Sequence, residues 1–269
     1  MSNLCISETL RAFMAYACEA GRSSYFEIEL PQTHWASGVA EDEMRPAASL
    51  LKLPLAMAAE AAMTAGHIDS SGSIPIDLLL RDADAPSILE RLDSDHRLSP
   101  REIIGIAISA SDGPCARWLL RTVGSQSVAE TLDAIGCRQT KIEAAMADDA
   151  GSLVGETTCR EAVGMLRAAA DSARYPCTAN ALRRSIRNSR IPLGANDLDV
   201  QILHKTGSLT GVAHDVALLE CVEGRVWAAF LTEQQHDTLI TGYAMGICTR
   251  HVLQAWGLAV QRTSSAVEG

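Results

Sequence analysis

Three short motifs carry the reactive groups of this 269-residue chain: Ser49-Leu50-Leu51-Lys52, Ser111-Asp112-Gly113 and Lys205-Thr206-Gly207. The first lies in the stretch Arg45 to Met63, which reads as a buried helix from Ser49 onward. It is rich in Ala, Leu and Met, has Pro54 inside it, and carries charge only at Lys52 and Glu60. A lysine in the first turn of so apolar a helix meets a desolvation penalty that favours the neutral amine. Its spacing puts it on the same helix face as Ser49. A hydroxyl beside a neutral amine is a nucleophile beside its base. Taken singly, each motif also has a plainer reading. Ser49 is then a helix N-cap followed by a lysine that reaches to solvent. Ser111-Asp112-Gly113-Pro114 is a turn, and Lys205 an exposed residue at a strand end.

Elements at both ends of the chain must hold these groups. A helix around Ile6 to Glu19 is followed by two alternating strands, Ser24 to Leu30 and Thr33 to Ala40. After the Ser49 helix, Ser99-Pro100-Arg101-Glu102 supplies a cap, a first-turn proline and a capping-box glutamate for an apolar helix through Ile108. Further helices are expected in Cys115 to Leu120, Ser127 to Gly136, Thr157 or Thr158 to about Ala170, and Thr178 to Asn188. The segments Val200 to Thr206, Ala213 to Glu220 and Arg225 to Thr232 read as three strands, and a last helix spans Thr238 to Leu258. The fold class is therefore α/β (α+β). An antiparallel sheet is built from both termini with flanking helices (residues 1–44 and 190–269), and an all-helical lobe (residues 45–189) is inserted between.

Composition narrows the function classes. With 47% hydrophobic and 21% charged residues the chain is an ordinary soluble globular protein. Its net charge of −10 argues against nucleic acid as a partner. The basic run Arg183 to Arg190 is the local exception, either a solvated helix face or a contact for an anionic ligand or phosphate. Eight dispersed cysteines, without a Cys-x-x-Cys pair or zinc-type His spacing, suggest neither metal nor cofactor. No run of about 18 apolar residues occurs, so no membrane partner is expected. Glu8, Arg11 and Glu19 make the first residues unlike a secretory signal, which for a complete chain implies the cytoplasm and reduced thiols. The expected partner is a small-molecule acyl substrate, and the oligomeric state is not legible.

The order of the three motifs resembles that of the class A β-lactamases and the related penicillin-binding proteins. The likeness runs through Arg45 to Ala56, through Leu98 to Leu120, into Gly155-Glu156-Thr157-Thr158 and along the strands after Lys205. It implies Ser49 as the nucleophile of an acyl-enzyme, Lys52 as its base, Ser111 as the proton relay to the leaving nitrogen, and Lys205 as the group polarising that relay. It further implies an oxyanion hole from the Ser49 and Ser208 backbone N–H groups. Thr206 and Ser208 would bind the substrate carboxylate, with Gly207 in the strand lining the cleft. The implied activity is serine hydrolysis of amides through an acyl-enzyme, with β-lactams leading. The alternatives are a cytoplasmic esterase, amidase or acyltransferase acting on a small metabolite, or a sensor that acylates without turnover.

Two departures from the family pattern matter. Gly113 stands where Asn is usual, which loosens the expectation for the substrate's acylamino group. The loop from Cys137 to Gly155 lacks the usual Glu-x-x-Leu-Asn, with Met146 and Ala147 at the last two places. Glu143 is the candidate base for the deacylating water, with Asp148 and Asp149 as substitutes, and a Lys141–Glu156 pair closing the loop. His204 and His214 read as core or surface histidines, since no Gly-x-Ser-x-Gly elbow accompanies them.

Overall fold

The structure, a computed structural model, describes residues 3–81, 86–143 and 153–261. Helix α1 (Asn3–Tyr16) leads into a hairpin of β1 (Arg22–Leu30) and β2 (Thr33–Val39). The chain then passes through β3 (Arg45–Pro46), a 3₁₀ turn (Ala48–Leu51) and α2 (Lys52–Thr64). Short elements β4 (Ile74–Pro75), α3 (Ile76–Leu80), a 3₁₀ turn (Ile88–Arg91) and β5 (Arg97–Leu98) precede α4 (Pro100–Ser109) and α5 (Gly113–Ala134). After them come β6 (Lys141–Ile142), β7 (Gly155–Thr157), α6 (Cys159–Ala169) and α7 (Pro176–Arg183). A 3₁₀ turn (Ile191–Gly194), the strands β8 (Val200–Leu209), β9 (Val212–Cys221) and β10 (Gly224–Thr232), and α8 (Thr238–Ala255) complete the described elements.

Five strands form one antiparallel sheet in the order β2-β1-β10-β9-β8, so the two ends of the chain interleave. Both faces are covered, and strict alternation shows it. Val226, Ala228 and Phe230 face a core shared with α1 and α8, while Trp227, Ala229 and Leu231 face the core of the intervening helices. On the first face Phe13, Tyr16, Phe26 and Phe230 meet edge to face at centroid distances of 4.7 to 5.4 Å. On the second, α6 crosses β9 and β10, and α2 lies behind it among α4, α5 and α7. Leu53, Leu55 and Met57 of α2 are buried, each contributing roughly 1.5–3 kcal/mol. That burial fixes the helix that carries Lys52.

Local signals explain most element ends. The Ser99 hydroxyl accepts from the Glu102 N–H, and the Glu102 carboxylate accepts from the Ser99 N–H, so α4 begins with the expected capping box. The two helices expected in Cys115 to Leu120 and Ser127 to Gly136 join as α5, broken at Gly124, whose φ of 77° only glycine adopts freely. Helix α7 has no side-chain cap of its own; instead buried Glu60 of α2 accepts from the N–H groups of Cys177 (2.7 Å) and Thr178 (3.0 Å).

The helix ends at Arg183 rather than near Asn188. Beyond it the Ile186 N–H donates to Ser109 O (3.0 Å), drawing residues 184–190 toward the end of α4. Among the described residues no helix is long and apolar enough to cross a membrane. The eight cysteines are free thiols.

Candidate active site

The strand before Ser49 is held from both sides. Arg45 pairs with Thr157 and Pro46 with Glu156 of β7, and the Ala47 N–H donates to Gly155 O at 2.7 Å. The guanidinium of Arg45, buried, donates to Ser23 Oγ at 3.1 Å and is paired with Glu43 and Glu233. From the sheet side, His214 Nδ1 accepts from the Thr232 N–H (3.0 Å), so its Nε2 carries the proton and donates to Pro46 O (2.6 Å). Burial lowers the His214 pKa to about 4, keeping the ring neutral.

Ser49 therefore lies in a turn whose entry is fixed and whose exit is anchored by buried Leu50 and Leu51. The 3₁₀ turn has Ala47 as its N-cap residue, without a side-chain cap, so Ser49 sits inside it and is not an N-cap.

Lys52 turns inward. Its Nζ donates to Ser111 O at 2.6 Å and Asp112 O at 3.1 Å. Burial pushes its pKa down to about 8, against the opposing pull of the Asp112 carboxylate. The turn it grips is strained: Ser111 has a φ of 59°, in the left-handed region. Asp112 holds that turn in place. One of its oxygens caps α5 by accepting from the Cys115 N–H (2.9 Å), and the other accepts from Ser87 Oγ (2.6 Å) and the Ile88 N–H (3.3 Å).

The third motif approaches from the sheet edge. Lys205, 1% exposed, donates through Nζ to Ser111 Oγ (2.8 Å) and Thr206 O (2.6 Å). Burial and then the Lys52 charge hold its amine well below the usual lysine range, partly offset by Asp215. Strand β8 packs closely on the Ser49 turn. A Cβ at position 207 would come within 3.2 Å of Ala48 Cβ and 3.1 Å of His214 Cδ2.

Sequence reasoning missed the role of Arg190. Its guanidinium donates to Gly207 O (2.8 Å), Ser208 Oγ (2.6 Å) and His214 O. It is held there from below, where the Asp215 carboxylate, fully buried, accepts from the Ile191 N–H (3.0 Å). His204 Nδ1 lies 3.0 Å from Asp215 Oδ1, and its Nε2 3.0 Å from Asn188 Oδ1. Both histidines are thus buried supports of the site. The basic run was visible in the sequence; its target, a strand end far along the chain, was not.

Two cavities meet at Ser49 and Gly113. One, of about 250 Å³, is walled mainly by aliphatic groups such as Leu51, Leu55, Ala116 and Leu120, with Lys52 at its edge. The other, of about 390 Å³, is bordered by Ser111, Thr206, Ser208, Arg187 and Arg190. Gly113 leaves the junction open, since a Cβ there would meet nothing within 4 Å.

Glu143 is exposed, with its N–H donated to Val154 O (2.9 Å), and it lines neither cavity. It follows β6, which is separated from β3 by β7. Lys141 and Glu156 face each other across β6 and β7, both exposed. Asp148 and Asp149, like Met146 and Ala147, lie outside the described residues.

A family model described as the beta-lactamase enzyme family matches residues 6–256. This chain belongs to that family. Among curated proteins no match is found. A solved β-lactamase from Sphaerobacter thermophilus is 25% identical, with a TM-score of 0.79 over 94% of this chain and 98% of that one. A class A β-lactamase representative from Bacteroides cellulosilyticus shares the fold at 17% identity, with a TM-score of 0.78 over 95% and 99% of the two chains. PBP-A, also solved as an acyl-enzyme with penicillin G in a mutant form, shares it at 18% identity. Its TM-score is 0.76, over 93% of this chain and 96% of that one. The mixed architecture, with its antiparallel sheet, is that of the class A β-lactamases.

Proposed function

We propose that this member of the beta-lactamase family is a serine acyl hydrolase that forms an acyl-enzyme at Ser49, with a β-lactam amide as its leading substrate. The observation that carries the reading is the convergence of two amines, one buried and one partly buried, on one residue. Lys52 Nζ reaches Ser111 O at 2.6 Å and Lys205 Nζ reaches Ser111 Oγ at 2.8 Å. Lys52 lines the same cavity as Ser49, and a pKa of about 8 leaves roughly a tenth of it neutral at pH 7.

In this mechanism Lys52 takes the Ser49 proton, directly or through water, as Ser49 Oγ attacks the carbonyl carbon. The N–H groups of Ser49 and Ser208 receive the developing oxyanion. Ser111, polarised by Lys205, passes a proton to the leaving nitrogen. Thr206, Ser208 and Arg190 bind the substrate carboxylate; a guanidinium suits that task by its forked donors.

Water must then cleave the acyl-enzyme. Glu143 remains the proposed base, yet its exposure away from both cavities favours a second reading, in which Ser49 acylates and turnover is slow. A chromogenic cephalosporin and a fluorescent penicillin, followed by intact mass, separate the two. Repeated hydrolysis supports the first, and a stoichiometric adduct the second. Equal behaviour of wild type and Ser49→Ala toward every acyl substrate tried overturns both.

A further inference from the structure

The larger cavity is more cationic than one substrate carboxylate requires. Arg190 and Arg187 border it beside Thr206 and Ser208, and the buried Lys205 donates to Ser111 Oγ on the same wall. The single acidic residue on that wall among the described residues, Asp112, is 5% exposed and has both oxygens engaged. Arg187 is oriented by one bond, from its Nε to Ala110 O at 3.1 Å, and no carboxylate among the described residues pairs with it. Elsewhere in this acidic chain Arg45, Arg160, Arg167 and Arg250 each find an acidic partner.

A guanidinium whose Nε is tied back presents its two terminal nitrogens in a fixed plane, the geometry that takes a carboxylate bidentately. The helix that would have carried Arg187 away from the cavity stops at Arg183, and the Ile186 N–H bond to Ser109 O turns the segment inward. The chain has thus placed a second anion receptor beside the first.

We infer that the leaving group of the natural substrate carries two carboxylates, one received by Arg190, Thr206 and Ser208 and the other by Arg187. This rests on the reading of Ser49 as nucleophile. The substrate class is an acylated amino dicarboxylate. Ser49 Oγ forms a bond to the acyl carbon as the carbon–nitrogen bond breaks, the serine proton ends on the leaving nitrogen, and water cleaves the ester to release the acid.

The test compares one acyl group on glutamate and on glutamine, which have nearly the same shape and differ by one charge. Wild type should favour acyl-glutamate in kcat/KM by tenfold or more, the worth of one good charged hydrogen-bonded contact. Arg187→Gln should bring the ratio below about threefold, and Arg187→Lys should restore part of it. Arg184→Gln, which removes the same charge from an exposed position off the cavity, should retain the wild-type ratio. A ratio near one in wild type, or an undiminished ratio in Arg187→Gln, overturns the assignment.

Binding separates this from the nucleophile reading. NMR titration of Ser49→Ala with N-acetylglutamate and N-acetylglutamine should give the same preference without any chemistry, and its absence there also overturns the assignment. Hydrolysis by Ser49→Ala at the wild-type rate would instead overturn the nucleophile and leave the preference to be judged by the titration.

Discussion

Lys205 Nζ donates to Ser111 Oγ at 2.8 Å although 94 residues of chain separate the two. The amine comes from a sheet strand and the hydroxyl from a strained turn between two helices, so the bond joins the two cores. It holds the two groups together, the preorganisation that the proposed proton relay would need.

Lys52 sets the expected pH dependence. Its amine accepts a proton only when neutral, and its pKa is lowered to about 8. Acylation should therefore rise with pH along a limb centred near 8. Lys52→Arg should abolish the limb and slow acylation by roughly 100-fold or more. Stopped-flow acylation between pH 6 and 10 measures both, and a flat profile in wild type would remove Lys52 from the base role.

Gly207→Ala tests how tightly the sheet edge and the Ser49 turn are matched. The added methyl would lie 3.2 Å from Ala48 Cβ and 3.1 Å from His214 Cδ2, so β8 must shift by tenths of an ångström. Acylation should fall by about 10- to 100-fold, while stability drops by only about 1–3 kcal/mol. Unchanged kinetics would mean that this spacing does not govern the chemistry.

Asp112→Ala removes the cap of α5 and leaves the Ser87 hydroxyl and the Ile88 N–H without their acceptor. The expected loss of stability is about 2–3 kcal/mol, together with weaker acylation because the Ser111 turn loosens. Urea unfolding and adduct formation report the two effects separately. Loss of stability with full activity would assign Asp112 to the helix alone.

His214 should limit stability in acid. Its folded pKa, about 4, lies below the ordinary 6.5. Between those values the unfolded chain binds a proton that the folded chain does not, so stability falls as pH falls through that window. The full effect is about 3 kcal/mol. Protonation would also aim a second N–H at the Thr232 N–H that His214 now accepts from. Unfolding free energies from pH 7 to pH 4 should slope less steeply in His214→Gln; equal slopes would assign the acid sensitivity elsewhere.

Much of the fold was legible because its signals are local. The uninterrupted apolar run Val226 to Leu231 suits a strand covered on both faces, and Ser99, Pro100 and Glu102 mark a helix start. The places where reading failed were decided by distant contacts. Asp215 takes the Ile191 N–H and Ser109 O takes that of Ile186, so the backbone after Arg183 finds partners outside a helix. For that reason Arg187 and Arg190 line a cavity instead of a helix face. Ser49 matched an N-cap by type, but Ala47 holds the N-cap position. The three motifs were visible as an ordered set, whereas the convergence on Ser111 depends on a sheet edge and two helix ends meeting. Counting back from Glu156 brought Glu143 to the expected register, but exposure and cavity lining are not legible from a count of residues.

The pairing of β1 with β10 has a consequence for biosynthesis. Arg22 lies opposite Thr232, so the first hairpin leaves the ribosome roughly two hundred residues before its neighbour in the sheet is translated. Until then one hydrogen-bonding edge of Arg22–Leu30 stands open, bearing Phe26 and Ile28. Nascent chains halted before β9 and β10 should accordingly be the ones that chaperones hold and that aggregate when released.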